Sequence, residues 1–263
     1  MEFYWREILL CVGITIFCLG ISCLGYWLIA KKNNAQLNAK FSKYFLLVMW
    51  IIFVLEEIMK YSVEAFVFHT NEIWLYVPIH LCSLPMFFIP LLMFKNKWQK
   101  EIYNVLFVSL FIVLLTFIIG QDTDTPIDVV GAEQTTSSLF YFYHTILWHT
   151  LLVLLFFHLV LFKREMYTGF KTNLYSSLVL LAVNFVIFFF ASIYTEAGFS
   201  HPYFVLYNKQ FEPFYSMTGE NEVLTNFILF IIISALCEIV YVGCYYLNRA
   251  CKNLKFAKTE FPQ

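Results

Sequence analysis

ILLCVGITIFCLGISCLGYWLIA, residues Ile8–Ala30, holds no charged side chain and ends at Lys31-Lys32. About 20 apolar residues suffice to cross the hydrocarbon core of a bilayer as a helix. The run is too long for the apolar part of a signal peptide, and no small-residue cleavage site follows it. Six more stretches of similar character come after it: Tyr44–Phe66, Trp74–Phe94, Ile102–Gly120, Phe140–Phe162, Leu174–Ala197 and Leu224–Leu247. The reading is an all-α polytopic membrane bundle of about seven helices in one domain covering residues 1–263.

Composition agrees. Of 263 residues, 60% are hydrophobic and 13% charged, and mean hydropathy is +0.71. Soluble domains run nearer about 45–50% apolar and about 25% charged. A net charge of −1 carries no footprint for nucleic acid, so no such partner is expected. The expected surroundings are membrane lipids, and the oligomeric state is open. The seven cysteines show neither CxxC nor zinc spacing, and P-loop, dinucleotide and HExxH signatures are missing. No metal and no cofactor are therefore expected.

Basic residues orient the bundle. Lys31, Lys32, Lys40 and Lys43 share one side with Lys95, Lys97, Lys100, Lys163, Arg164, Lys171, Arg249, Lys252, Lys255 and Lys258. The loop carrying Asp122, Asp124, Asp128 and Glu133 has no Lys or Arg. The positive-inside rule then puts the N-terminus outside and the C-terminus in the cytoplasm of a multi-pass cell-membrane protein.

Charged groups inside a bilayer are costly and normally face the bundle interior. The second span holds Glu56, Glu57, Lys60 and Glu64, and the third His80, Cys82 and Ser83. The fifth holds His144, His149 and His158, the sixth Asn184, and the last Ser234, Glu238, Tyr241 and Tyr245. At a rise of about 1.5 Å per residue, Cys82, His149, Glu56 and Glu238 fall roughly 12–20 Å below the outer surface, in one shared layer. On the fifth span, His144 and His158 share a face, while His149 shares another with Thr145. Simpler roles exist for each. Glu56 and Lys60 have the spacing of a structural ion pair, histidines often only bridge helices, His158 is close to the cytoplasmic interface, and a lone Cys82 is usually filler.

Tyr76-Val77-Pro78-Ile79-His80-Leu81-Cys82-Ser83 resembles the Pro-x-His-Leu-Cys signature of the YwaF-type bacterial integral membrane proteins. Glu56 and Lys60 resemble that family's Glu-x3-Lys pair, and His149, followed by Lys163 and Tyr167-Thr168, resembles its histidine helix. Glu212-Pro213-Phe214-Tyr215 resembles an acidic-Pro-Phe-Tyr element between the last two helices. The eukaryotic relatives of that family look like phospholipid acyltransferases working through a cysteine and a histidine. The resemblance thus implies lipid acyl transfer with Cys82 as nucleophile and His149 as base. In those relatives the cysteine directly precedes His-Leu; here Ile79 occupies that position and Cys82 follows three residues later. Two other functions fit the residues: a small-solute or proton-coupled transporter lined by the acids and histidines, and a non-catalytic, receptor-like binding protein.

Overall fold

A computed structural model describes residues 2–30, 35–67, 81–94, 97–119, 136–162, 174–183, 185, 186, 189, 216–219 and 221–253. Among them the chain is all-helical: α1 (Glu2–Ala30), α2 (Ala35–Phe66), a 3-10 turn (Leu81–Ser83), α3 (Leu84–Met93), α4 (Gln99–Ile119), α5 (Thr136–Phe162), α6 (Leu174–Val183) and α7 (Glu222–Asn253). Several helices outrun the apolar stretches that announced them. α2 begins at Ala35 rather than Tyr44, and α7 continues to Asn253. Residues such as Gln36, Lys40 and Arg249 are good helix formers, and hydropathy registers only the part of a helix that lipid covers. Asn221 caps α7 by accepting the Leu224 amide proton on Oδ1 at 2.9 Å.

α4 is the centre of the bundle. Residues 101–106 and 108–110 are buried without interruption, so the helix is covered on every face. It packs against α1, α3, α5 and α7. α1 is the opposite case. A narrow line of small side chains, Cys11, Cys18 and Ser22, is buried, whereas Leu9, Ile16, Phe17 and Trp27 on its other faces are more than half exposed. α5 is in contact with α1, and Cys18 Sγ approaches the Thr150 carbonyl at 3.8 Å. Large apolar residues cover the outside of the other helices too, among them Val48, Leu55, Phe87, Leu147, Phe189 and Ile239. A soluble monomer does not expose so much apolar surface. Ile8–Ile29 and Tyr143–Phe162 are each long and apolar enough to cross a membrane unaided.

Paired contacts give the helix directions. α2 meets α5 at Ser42–His158 and again at Glu56–His144. As α2 advances fourteen residues α5 retreats by the same number, so the two are antiparallel and in register. α4 is antiparallel to α5, with Tyr103 at Leu159 and Phe117 at His149. α6 is antiparallel to α7, with Ser177 at Glu238 and, two residues past the end of α6, Phe185 at Phe230. α1 runs parallel to α5, with Cys18 at Thr150 and Tyr26 at Phe162.

The third apolar stretch is not one regular helix through the described residues. A 3-10 turn precedes α3, which has Pro85 in its first turn and Pro90 inside it. Each proline removes a backbone donor, and a tryptophan replaces each one. Pro90 cannot bond to the Met86 carbonyl four residues back. Trp50 Nε1 donates to that oxygen from α2 at 2.9 Å. Pro85 cannot bond to the Cys82 carbonyl three residues back, where a continued 3-10 turn would place a donor. Trp148 Nε1 donates to it from α5 at 3.3 Å. At the other end of α3, Gln99 Nε2 donates to the Leu92 carbonyl at 2.8 Å.

Candidate functional site

The expected single polar layer is divided into two centres. The first lies where α2 and α5 meet the Cys82 turn. Glu56 Oε2 is 3.1 Å from His144 Nδ1, both side chains being about nine-tenths buried. The i, i+4 spacing suggested Lys60 as the partner of Glu56; the carboxylate instead reaches across to α5. Lys60, one turn farther along α2, is within electrostatic reach of Glu57, Cys82 and His144. Glu57 is buried, and its Oε2 has no hydrogen-bond partner. The His144 ring is 5.9 Å from the Trp148 ring, and Trp148 meets Phe53 edge-on at 4.8 Å. Ser83 is buried in the turn and Cys82 is half-buried, its thiol free.

His149 faces α4 rather than α2, as helical phase requires, and the Cys82 turn packs against α4 as well. Its ring stacks on Phe117 of α4, with centroids 5.5 Å apart and planes 5° from parallel. Its Nδ1 is 2.8 Å from the Thr145 carbonyl oxygen. A carbonyl only accepts, so Nδ1 carries the proton and Nε2 presents a lone pair. Trp148, the residue before His149, holds the Cys82 carbonyl, so one turn of α5 carries both the grip on the cysteine turn and a histidine with basic Nε2.

His158 is buried inside the bundle. It is 2% exposed, shares a 3.0 Å hydrogen bond with Ser42, and stacks between Phe45 at 3.9 Å and Phe162 at 4.7 Å.

The second centre lies between α4, α6 and α7. Ser177 Oγ donates to Glu238 Oε2 at 2.7 Å, and Asn104 Nδ2 donates to Ser176 Oγ at 3.3 Å. The buried Tyr241 interacts with Ser176, Asn104, Glu238 and Glu101. Asn104 neighbours Tyr103, whose hydroxyl donates to the Leu159 carbonyl at 3.1 Å, so this centre is level with Ser42–His158. Glu56 and His144 are fourteen residues along their helices from that level, roughly 21 Å at the helical rise. Glu238 therefore does not join Glu56, His144 and Cys82. Phe53, Leu152, Leu155 and Phe156, all buried, occupy the levels between.

His80 and Asn184 lie outside the described residues. Sequence reasoning missed Ser42, Trp50, Trp148, Glu101, Asn104, Ser176 and Ser177. For Ser42 a signal existed: Ser42 and Glu56 are spaced as His144 and His158 are, which is the register of an antiparallel pair. For Asn104 and the serines none did, because such residues are ordinary in any helix.

Residues 3–246 match the TMEM164 family. The chain belongs to that family. TMEM164 proteins are transmembrane proteins, which accounts for the apolar exterior that α1 and its neighbours present. No curated protein and no solved structure gives a significant match. As a TMEM164 member, the chain keeps within the matched span both polar centres and every described helix except the first residue of α1 and the last residues of α7.

Proposed function

We propose that the chain is a seven-pass protein of the cell membrane, N-terminus outside and C-terminus cytoplasmic, that transfers acyl chains between membrane lipids at the Cys82 turn. The alternating helix directions and the one-sided lysines support the topology. The YwaF-type signature around Cys82 supports the lipid substrate. The single observation that carries the chemistry is the Trp148 clamp: one turn of α5 binds the Cys82 backbone and bears His149, whose Nε2 is a bare base.

In this reading His149 Nε2 takes the Cys82 thiol proton as Sγ attacks the ester carbonyl of a donor lipid. The tetrahedral intermediate collapses, and the leaving lysolipid oxygen takes that proton back from His149. A Cys82 thioester remains. An acceptor hydroxyl then gives its proton to His149 and attacks the thioester, and the thiol is re-formed with the proton. Glu56–His144 and Lys60 hold fixed charge and dipole beside the reacting carbonyl. The buried apolar levels between the two centres favour this local chemistry over a continuous path for a transported solute.

The test is acyl exchange between a labelled phospholipid and a lysolipid, with the purified chain in liposomes. Cys82→Ala and His149→Gln are each expected to lower the rate at least about a hundredfold, as loss of nucleophile or general base does. Full activity in Cys82→Ala removes the cysteine from the mechanism and this reading with it.

A further inference from the structure

The α4–α6–α7 centre buries more acceptors than its own hydroxyl and amide donors meet. Glu101 Oε2, Asn104 Oδ1 and Glu238 Oε1 are buried with no hydrogen-bond partner. Asn104 is fully buried and Glu101 is 9% exposed. Such atoms are costly unless something meets them. Around Tyr241 the site collects two carboxyl groups, an amide oxygen and serine hydroxyls. What it lacks is a cation with several N–H donors.

The geometry points to a binding site for a primary ammonium group, the headgroup amine of an aminophospholipid. An alkylammonium carries three N–H donors, and three acceptors here are unmet. Charge-assisted hydrogen bonds of this kind are the stronger class. The neighbourhood matches a zwitterionic lipid. Trp98 and Tyr175 meet edge-on at 6.0 Å where α4 and α6 begin, both partly exposed, as belt aromatics at headgroup depth are. Lys97 and Lys100 are exposed on the same short stretch, Lys97 Nζ 5.3 Å over the Trp98 ring, and supply the positive charge that a lipid phosphate pairs with. A quaternary ammonium has no N–H and leaves the three oxygens unmet. This site is at the opposite end of the bundle from Cys82, so it stands or falls independently of acyl transfer.

The test uses the full chain, purified and equilibrated with equal amounts of phosphatidylethanolamine and phosphatidylcholine, with retained lipid counted by native mass spectrometry. The wild type is expected to retain the primary amine about tenfold over the quaternary one, the ratio that one charge-assisted hydrogen bond supplies. Glu101→Gln combined with Glu238→Gln is expected to bring the ratio to parity, while Ser42→Ala, at the α2–α5 seam, leaves it unchanged. In a second arm, thermal unfolding is followed with free ethanolamine or choline. Stabilisation by ethanolamine alone, without selective lipid retention, assigns the site to a soluble amine and keeps the ammonium chemistry. Equal retention of the two lipids together with equal response to the two amines overturns the proposal. So does a preference that survives in the double variant. Should that variant fail to fold, the wild-type comparison of primary against quaternary amine decides alone.

Discussion

The α2–α5 seam and the α4–α6–α7 centre place polar groups inside the same bundle and treat them in opposite ways. Along the seam, hydrogen-bonded pairs alternate with aromatic packing: Ser42–His158 inside Phe45 and Phe162, Phe53 against Trp148, then Glu56–His144. Tryptophan N–H groups meet the carbonyls that Pro85 and Pro90 leave open. In the other centre, three acceptor oxygens remain without partners among otherwise bonded neighbours. The seam pairs most of its polar groups internally, with Glu57 Oε2 left over. The other centre is built to be completed.

The contrast can be broken by mutation, beginning with its largest expected effect. Glu56→Leu leaves the buried His144 ring without its hydrogen-bond partner, and should lower stability by about 2–3 kcal/mol. Glu56→Leu with His144→Leu should recover most of that loss. Reversible unfolding in mixed micelles measures both, and a single variant as stable as the wild type would show that the pair is not structural. Next come the tryptophans. Trp148→Phe and Trp50→Phe keep the ring and remove the donor, leaving the Cys82 or Met86 carbonyl unmet at about 1–3 kcal/mol each. Pro90→Ala restores the missing backbone N–H. In that background Trp50→Phe should cost clearly less; an unchanged cost in the double-mutant cycle would separate the tryptophan from the proline.

Smaller effects sharpen the comparison. Ser42→Ala removes one neutral hydrogen bond from His158 and should cost about 0.5–1.5 kcal/mol by the same unfolding measurement. Glu101→Met removes a buried carboxylate that has no hydrogen-bond partner. Without added amine, it should be neutral or stabilise by about 1 kcal/mol. A loss as large as that of Glu56→Leu would make the two regions alike and erase the distinction.

How much was legible beforehand follows from the type of signal. The helical, apolar character of the chain was visible because lipid demands long apolar runs. His144 and His149 were assigned to different faces of one helix because the 3.6-residue period is local, and the contacts with α2 and α4 agree with that. Glu56 and Glu57 stood out because buried acids are rare. The Glu56 partner was misassigned because i, i+4 spacing reports only on its own helix, and a carboxylate can be better served by the next one. Glu238 was placed with the wrong neighbours because depth along a helix was counted from an apolar boundary. The helix and the lipid need not begin together.

By itself the sequence determined that this chain is a helical membrane protein, because hydropathy and 3.6-residue periodicity act through single residues and their near neighbours. Only the tertiary structure decided that the polar residues form two centres rather than one, that tryptophans complete the proline-broken carbonyls, and that Asn104 and Ser176 meet beside Tyr241. Those facts depend on helix register and on which helices are adjacent. Register is set by contacts between residues 32 to 136 positions apart, and no local pattern encodes it.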